Sequence, residues 1–408
     1  MSLRYWEPEK RNIGPSTTNW STAEEGRIWY DKSTHRFCFW DGIATQVVAG
    51  TSGGVFSIPA SSMIWTDGST YYRIDRDGTY SSDGSFEDLI NDAITNGIGS
   101  HIYLASGSYT VGNSINVNQP NVRIWGAGGD TNLIKNAIGG HVINVTRENC
   151  SLGYFTINCS SQTSGNAINV SMNSGINTSS FQMVAVRVDD AYGNAVNVTG
   201  SSTSNKNIDG RIHHCTFGGT STSNGIYLHS GSEYWDIFDC LIREHTGTNK
   251  AGIVIDANND EVSFCHIWGN YYDVYVAPTN SVRRLRFIAN GVMDNKRHGF
   301  FWSGSNSFTN SIINDNVFWN NGRDTTLTFD SLHFSTGSTG WCSQLSINGN
   351  AFWAYPDSGT YYTRYAIFDS GSRLTGSIIM GNVTDDYVSP SILHINETWN
   401  IVEHNKSI

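Results

Sequence analysis

Ile212-His213-His214-Cys215-Thr216-Phe217, Ile237-Phe238-Asp239-Cys240-Leu241-Ile242 and Val262-Ser263-Phe264-Cys265-His266-Ile267 are three near-copies of one phrase, all inside the stretch Arg211 to Ile267. Their cysteines lie 25 residues apart twice over (240 − 215 and 265 − 240). A fixed period of this size marks a repeat architecture. The frame is an apolar residue, two spacers, a small polar residue, one spacer and an apolar residue. It continues, with asparagine replacing cysteine, at Phe287/Asn290/Val292, Ile313/Asn316/Phe318 and Ile347/Asn350/Phe352, with a weaker copy at Ile379/Asn382. Toward the N-terminus, Val186/Val188, Phe155/Ile157 and Val122/Ile124 keep the apolar positions and lack the ladder residue.

A second phrase interleaves with the first at a similar period: His141 to Val145, Asn166 to Val170, Asn194 to Val198, Asn224 to Leu228, Ala251 to Ile255, His298 to Trp302 and Arg364 to Phe368. Each is a short alternating or β-branched run bounded by Gly, Ser, Asn or Asp, which predicts a strand. One such coil cannot bury its own apolar residues. Stacked at about 4.8 Å, coils pair every strand with its equivalents above and below and make a continuous core. The ladder residue and the apolar residue two positions later then point inward, and the two spacers before the ladder residue form a bend. An inward Asn there can bond backbone groups left unpaired at the bend and the next Asn in the stack. Cys215, Cys240 and Cys265 fill the same slot as small buried thiols.

This pattern resembles the right-handed parallel β-helix of the pectate-lyase-like superfamily, in which a stacked asparagine ladder occupies a two-residue turn between strands. His101-Ile102-Tyr103-Leu104-Ala105-Ser106-Gly107-Ser108-Tyr109-Thr110-Val111, followed by Val122-Arg123-Ile124-Trp125-Gly126-Ala127-Gly128, looks like that superfamily's first coil. The resemblance covers roughly residues 80 to 402. It implies an all-β, right-handed, single-stranded solenoid of about ten coils. It says little about chemistry, because lyases, hydrolases and non-enzymatic adhesins share the fold.

Composition agrees with a turn-rich chain of short strands: 42 Gly and only 15% charged residues in 408. The net charge of −11 argues against a nucleic-acid partner. No run is long and apolar enough for a membrane-spanning helix, and the start Met1-Ser2-Leu3-Arg4-Tyr5-Trp6-Glu7 lacks the apolar core of a signal peptide. The seven cysteines are odd in number and show no zinc spacing, so they are expected to be mostly reduced.

Residues 1–50 read as a small attachment module. Glu25 to Asp31 and His35 to Gly42 predict a hairpin with an aromatic face. It resembles short modules near the N-termini of phage tail fibres and spikes. Residues 51–80 read as a linker, Gly50-Thr51-Ser52-Gly53-Gly54, and a short hairpin turning at Asp67-Gly68. Residues 81–408 are expected to be the β-helix. It begins with a capping helix over 85–96, signalled by the Ser85/Asp88 capping box and the apolar stripe Phe86, Leu89, Ile90, Ala93, Ile94. A helix there covers the open end of the solenoid.

Four residues before the ladder position, an outward column reads Arg211, Asp236, Glu261, Arg286. Adjacent acids tend to split their pKa values, one staying protonated as general acid while the other serves as base or nucleophile. Glycosidases need such a pair. A plain ion-pair ladder keeping the strands soluble and in register reads equally from the same residues. His213, Asp239, Arg243, Glu244 and His266 fall near this face. Three residues after the ladder position a second outward column reads Trp268, Met293, Trp319, Trp353. It suits sugar stacking, a second subunit or cover by this chain's own loops.

The resemblance to viral tailspikes implies a homotrimer at the virion surface or in the extracellular space. Such a protein attaches through its N-terminal module and binds and hydrolyses a cell-surface polysaccharide. After the last coil the sequence shows none of the C-terminal trimerisation domain many spikes possess. No metal or cofactor is expected for hydrolysis by Asp236 and Glu261. The alternative is a polysaccharide lyase acting on a uronate glycan, with Arg211, Arg243, Arg286 or His266 as base and calcium as helper. The remaining class is a non-catalytic carbohydrate-binding adhesin or structural virion protein.

Overall fold

Strand alternation sends Ile212, Ile237, Val262, Phe287, Ile313 and Ile347 inward, and each is fully buried. In the coil that contains them, Asp236 to Phe238 forms one face, Leu241–Arg243 a second and Ala251–Ile255 a third. The chain then climbs to Glu261–Ser263, which pairs in parallel with residues 236–238. The third face is an 11-stranded sheet of parallel pairs running from Ile115–Val117 to Leu393–His394, in line with the expected solenoid of about ten coils. The first and second faces belong to one 25-stranded sheet. This is the stacked solenoid that the spacing predicts, and the right-handed parallel β-helix that the resemblance implies.

The structure is a computed structural model that describes residues 28–31, 36–40, 45–47, 60–96, 101–136, 139–172, 178–200, 207–220, 222–303, 306–324, 328–335, 339–354, 363–371, 374–385, 393–395, 400–403 and 405–407. Ile28–Asp31 pairs antiparallel with Arg36–Trp40, and Thr45–Val47 adds a third strand. The linker at residues 50–54 lies outside the described residues. The second hairpin, Ser62–Thr66 with Tyr71–Asp75, is no mere appendage. Its first strand also pairs in parallel with His101–Leu104, so it continues the solenoid's sheet.

The helix Phe86–Thr95 follows. Ser85 caps it by accepting from the Asp88 N–H at 3.2 Å, and Phe86, Leu89, Ile90, Ala93 and Ile94 are buried against the first coil. Glu87 Oε1 accepts the Asn113 N–H at 2.9 Å, which ties the cap to the chain entering the third face.

The inward ladder is the repeated polar element. Asn316 Nδ2 donates to Phe287 O (3.0 Å) in the coil below and to Asn350 Oδ1 (3.0 Å) in the coil above. Its own Oδ1 accepts the Asn290 backbone N–H (2.9 Å) and Asn290 Nδ2 (3.1 Å). The same pattern runs on through Asn382 to Asn405, one coil beyond the last copy read from the sequence. Cys240 Sγ reaches the corresponding carbonyl, Ile212 O, at 3.6 Å, and Cys265 Sγ reaches Ile237 O at 3.7 Å. Thiols therefore substitute for amides, and the six described cysteines are buried and unbridged.

The bend itself differs from expectation, because only the second spacer turns. His214, Asp239, Phe264, Ala289 and Asp315 all take left-handed φ between 52° and 59°. His213 and Phe238, the first spacers, remain in their strands.

Asn316→Ala is expected to lower unfolding stability by about 2–4 kcal/mol, since it strands several buried donors and acceptors at once. Cys240→Ala should cost about 1 kcal/mol, because a thiol is a weak donor. Denaturant midpoints for the two variants check this, and equal losses would show that the amide ladder carries no special share of the stability.

Candidate functional site

The four-residue outward column forms as read. Arg211 registers with Asp236, Asp236 with Glu261, and Glu261 with Arg286, on consecutive strands of the first face. Each acid has its own arginine: Arg211 Nε lies 3.4 Å from Asp236 Oδ2, and Arg286 Nε lies 3.3 Å from Glu261 Oε2. Burial raises the Asp236 carboxyl above its ordinary range, and the neighbouring Glu261 charge pushes the same way against the pull of Arg211. The column therefore holds two carboxylates on adjacent strands, about 4.8 Å apart at the backbone, each beside its own arginine.

The other sequence candidates separate into groups. His213 stacks flat on Phe238 (4.8 Å between centroids, 4°) beside the acid pair. Burial lowers its pKa, helped by the charges of His214 and Arg211. Asp239 turns the bend, and its Oδ2 lies 2.9 Å from His214 Nε2, a contact sequence reasoning did not foresee. Around the corner, Arg243, Trp268, Met293, Trp319 and Trp353 register as one column of the second face. Arg243 lies over the Trp268 ring at 5.7 Å and pairs with Glu244 at 2.9 Å, while Trp319 and Trp353 meet edge-on at 5.8 Å. His266 is exposed on this second face, registered between Leu241 and Gly291. It is not on the face that carries the acids, so it cannot be counted with them.

A second polar cluster, missed in the sequence, sits at the edge of the third face. Asp330 is fully buried. Arg364 clamps it with two contacts (3.0 and 2.8 Å), His333 Nδ1 donates to its Oδ2 at 2.7 Å, and its backbone N–H donates to His298 Nδ1 at 3.0 Å. His298, Asp330 and His333 lie close enough together to share a metal ion. The Arg364 guanidinium already neutralises the Asp330 carboxylate through both oxygens, His333 Nδ1 bonds the same carboxylate, and His298 Nδ1 accepts the Asp330 N–H. The set fits an oriented imidazole better than a metal centre. With Nδ1 held, His333 Nε2 is the nitrogen left to act, and no described residue bonds it.

No family model matches the sequence, and no curated protein sequence matches it. Solved structures do. The A-module of the Azotobacter vinelandii mannuronan C-5 epimerase AlgE6 superposes with a TM-score of 0.55 at 12% identity, covering 79% of this chain and 95% of that one. The enzymatically active domain of bacteriophage CBA120 tailspike protein 2 gives 0.56 at 13%, covering 90% of this chain and 57% of that one. A double mutant of the tailspike protein of E. coli bacteriophage HK620 gives 0.52 at 12%, covering 79% and 60%. This chain has the parallel β-helix fold of these structures. At these identities the likeness speaks for the fold alone. Among the described residues, no helix of this β-helix is long and apolar enough to cross a membrane.

A signal for the third-face cluster existed. His298 and Arg364 head two copies of the second phrase, and Asp330 heads a copy in between that the period skips, at Leu332–Phe334.

Directly behind the acid pair, Asp260 points inward. One carboxyl oxygen accepts the Trp235 N–H at 3.0 Å and the other has no hydrogen bond. Burial pushes this carboxyl well above the usual range. The folded chain thus keeps a proton that the unfolded chain releases near pH ~3.9, and the resulting destabilisation grows as pH rises above that value. Asp260→Asn should gain stability relative to wild type progressively as pH rises above about 4. Thermal midpoints across that range test it, and parallel pH curves for the two proteins would rule the carboxyl out as the source.

Proposed function

We propose that this protein is a tailspike-like, virion-surface enzyme that binds a cell-surface polysaccharide and hydrolyses it within the chain at Asp236 and Glu261. The observation that carries this reading is the direct register of the two acids, each beside its own arginine, with the Asp236 carboxyl raised by burial. Asp236 then suits the general acid: its proton passes to the glycosidic oxygen as the bond to the anomeric carbon breaks. Glu261 suits the second role, deprotonating the attacking water or attacking the anomeric carbon itself. Arg211 and Arg286 orient the acids. The similarity to two phage tailspike structures, one of them an enzymatically active domain, supports a polysaccharide substrate and a homotrimer. A trimer attached through residues 1–50 is part of the same proposal.

The third-face cluster favours one second reading. His333, oriented by Asp330 and carrying an unengaged Nε2, suits proton abstraction beside a uronate carboxylate, the lyase reaction. The mannuronan epimerase among the similar structures supports this reading in the same limited way. Calcium would belong to this case only.

Reducing-end release and absorbance of unsaturated products, measured on a panel of bacterial and archaeal surface polysaccharides, separate the readings. Hydrolysis predicts new reducing ends without ultraviolet-absorbing product. Asp236→Asn and Glu261→Gln should each lose at least about 100-fold in rate, within the range general acid–base groups supply, while glycan binding persists. Absorbing product that is lost in His333→Gln and kept in Asp236→Asn would replace hydrolysis with the lyase. Binding without any cleavage would make the protein an adhesin.

A further inference from the structure

The first face is bordered by two bends, and five successive coils cross both in left-handed conformation. On one border the residues are Asp209, Tyr234, Asn259, Arg284 and Asn310, with φ between 55° and 68°. On the other they are His214, Asp239, Phe264, Ala289 and Asp315. Asn and Asp tolerate this region because their short polar side chains bond locally, whereas a bulky ring there is a conformational outlier. Tyr234 (φ 61°) and Phe264 (φ 55°) are therefore poor choices for turning the chain.

Neither ring compensates by packing. Tyr234 is 51% and Phe264 64% exposed, and neither stacks on another aromatic ring among the described residues. Their positions are specific. Tyr234 lies two residues before Asp236, and Phe264 three residues after Glu261. The two rings thus stand on opposite borders of the face, one coil apart, with the acid pair between them.

We infer that Tyr234 and Phe264 are sugar-stacking subsites on either side of the acid pair, so that the polysaccharide crosses the first face transverse to the solenoid axis. This deepens the reading above and rests on it for the direction of cleavage. The borders are ~16 Å apart at strand spacing, enough for a run of a few sugar units and too far for a single one. Between the rings lie charged hydrogen-bonding groups, Arg211, Asp236, Glu261 and Arg286. Alternation of isolated aromatic faces with hydrogen-bonding groups matches a glycan, which offers apolar ring faces and hydroxyls in turn. A second protein subunit would need a contiguous apolar centre, which this face lacks.

The test uses the full chain carrying Asp236→Asn, so that bound glycan survives, on an array of purified capsular, O-antigen and archaeal surface polysaccharides. Tyr234→Gly and Phe264→Gly, each added to that background, should weaken retention of the bound polysaccharide at least tenfold. Because Gly relieves the left-handed strain, their thermal midpoints should hold or rise. In the otherwise wild-type chain the same changes should slow cleavage of the polymer, chiefly by raising KM.

Retention unchanged in both Gly variants, with cleavage still dependent on Asp236, would overturn the subsites and spare the hydrolase. Retention lost in both variants, where the wild type cleaves nothing, would keep the subsites and overturn hydrolysis. Midpoints falling by several degrees would assign the rings to folding and overturn the inference. An array on which the wild type retains no glycan would overturn both.

Discussion

Parallel pairing between successive coils is the interaction on which everything else in this molecule depends. A strand of three to five residues on one face has no partner within its own coil, so its amides and carbonyls are satisfied only by the coils above and below. The inward side chains follow that rule. Asn290, Asn316, Asn350, Asn382 and Asn405 stack because the strands that carry them stack, and their amides bond the carbonyls the bend releases. Where pairing ends at the N-terminal side, the helix Phe86–Thr95 and the hairpin Ser62–Thr66 with Tyr71–Asp75 close the exposed edge.

The same pairing determines how a functional surface is written. Side chains four residues before the ladder position become neighbours in space while remaining about a coil apart in sequence. Asp236 and Glu261 are an adjacent pair for that reason alone, and so are Trp319 and Trp353. Columns, rather than local motifs, are the unit in which chemistry can be assembled. Two columns of opposite character, charged on the first face and indole-rich on the second, meet at the bend that Asp239 and Phe264 turn.

Legibility followed periodicity. The Cys215, Cys240, Cys265 spacing and the asparagines after it were visible because the buried slot admits few residue types, so fold, register and the Arg211 to Arg286 column could be read. The ladder was followed only to Asn382 because the chain at Ile401 to Asn405 carries a single faint copy of the frame. The Asp330 network was hidden for a different reason. Its members, His298, Asp330 and Arg364, sit on coils of unequal length, with 32 and 34 residues between contacting partners, so no fixed spacing announces them. The left-handed bend was misjudged by one residue, since sequence cannot show that Phe238 stays in its strand while Asp239 turns.

The change of ladder chemistry from thiol to amide falls at Cys265 and Asn290, where the Cys265 N–H donates to Asn290 Oδ1 at 2.9 Å. Above that junction each coil is bolted to the next through side-chain amides as well as backbone. Below it, the coils bearing Arg211, Asp236 and Glu261 carry thiols in that slot, and their side-chain amide links lie instead at the entry to the third face, where Asn224 Nδ2 donates to Asn194 Oδ1 at 2.9 Å and Asn224 Oδ1 accepts the Ala251 N–H at 2.8 Å. The solenoid thus changes fasteners along its length: amide links at one corner of the coil give way to amide links at another.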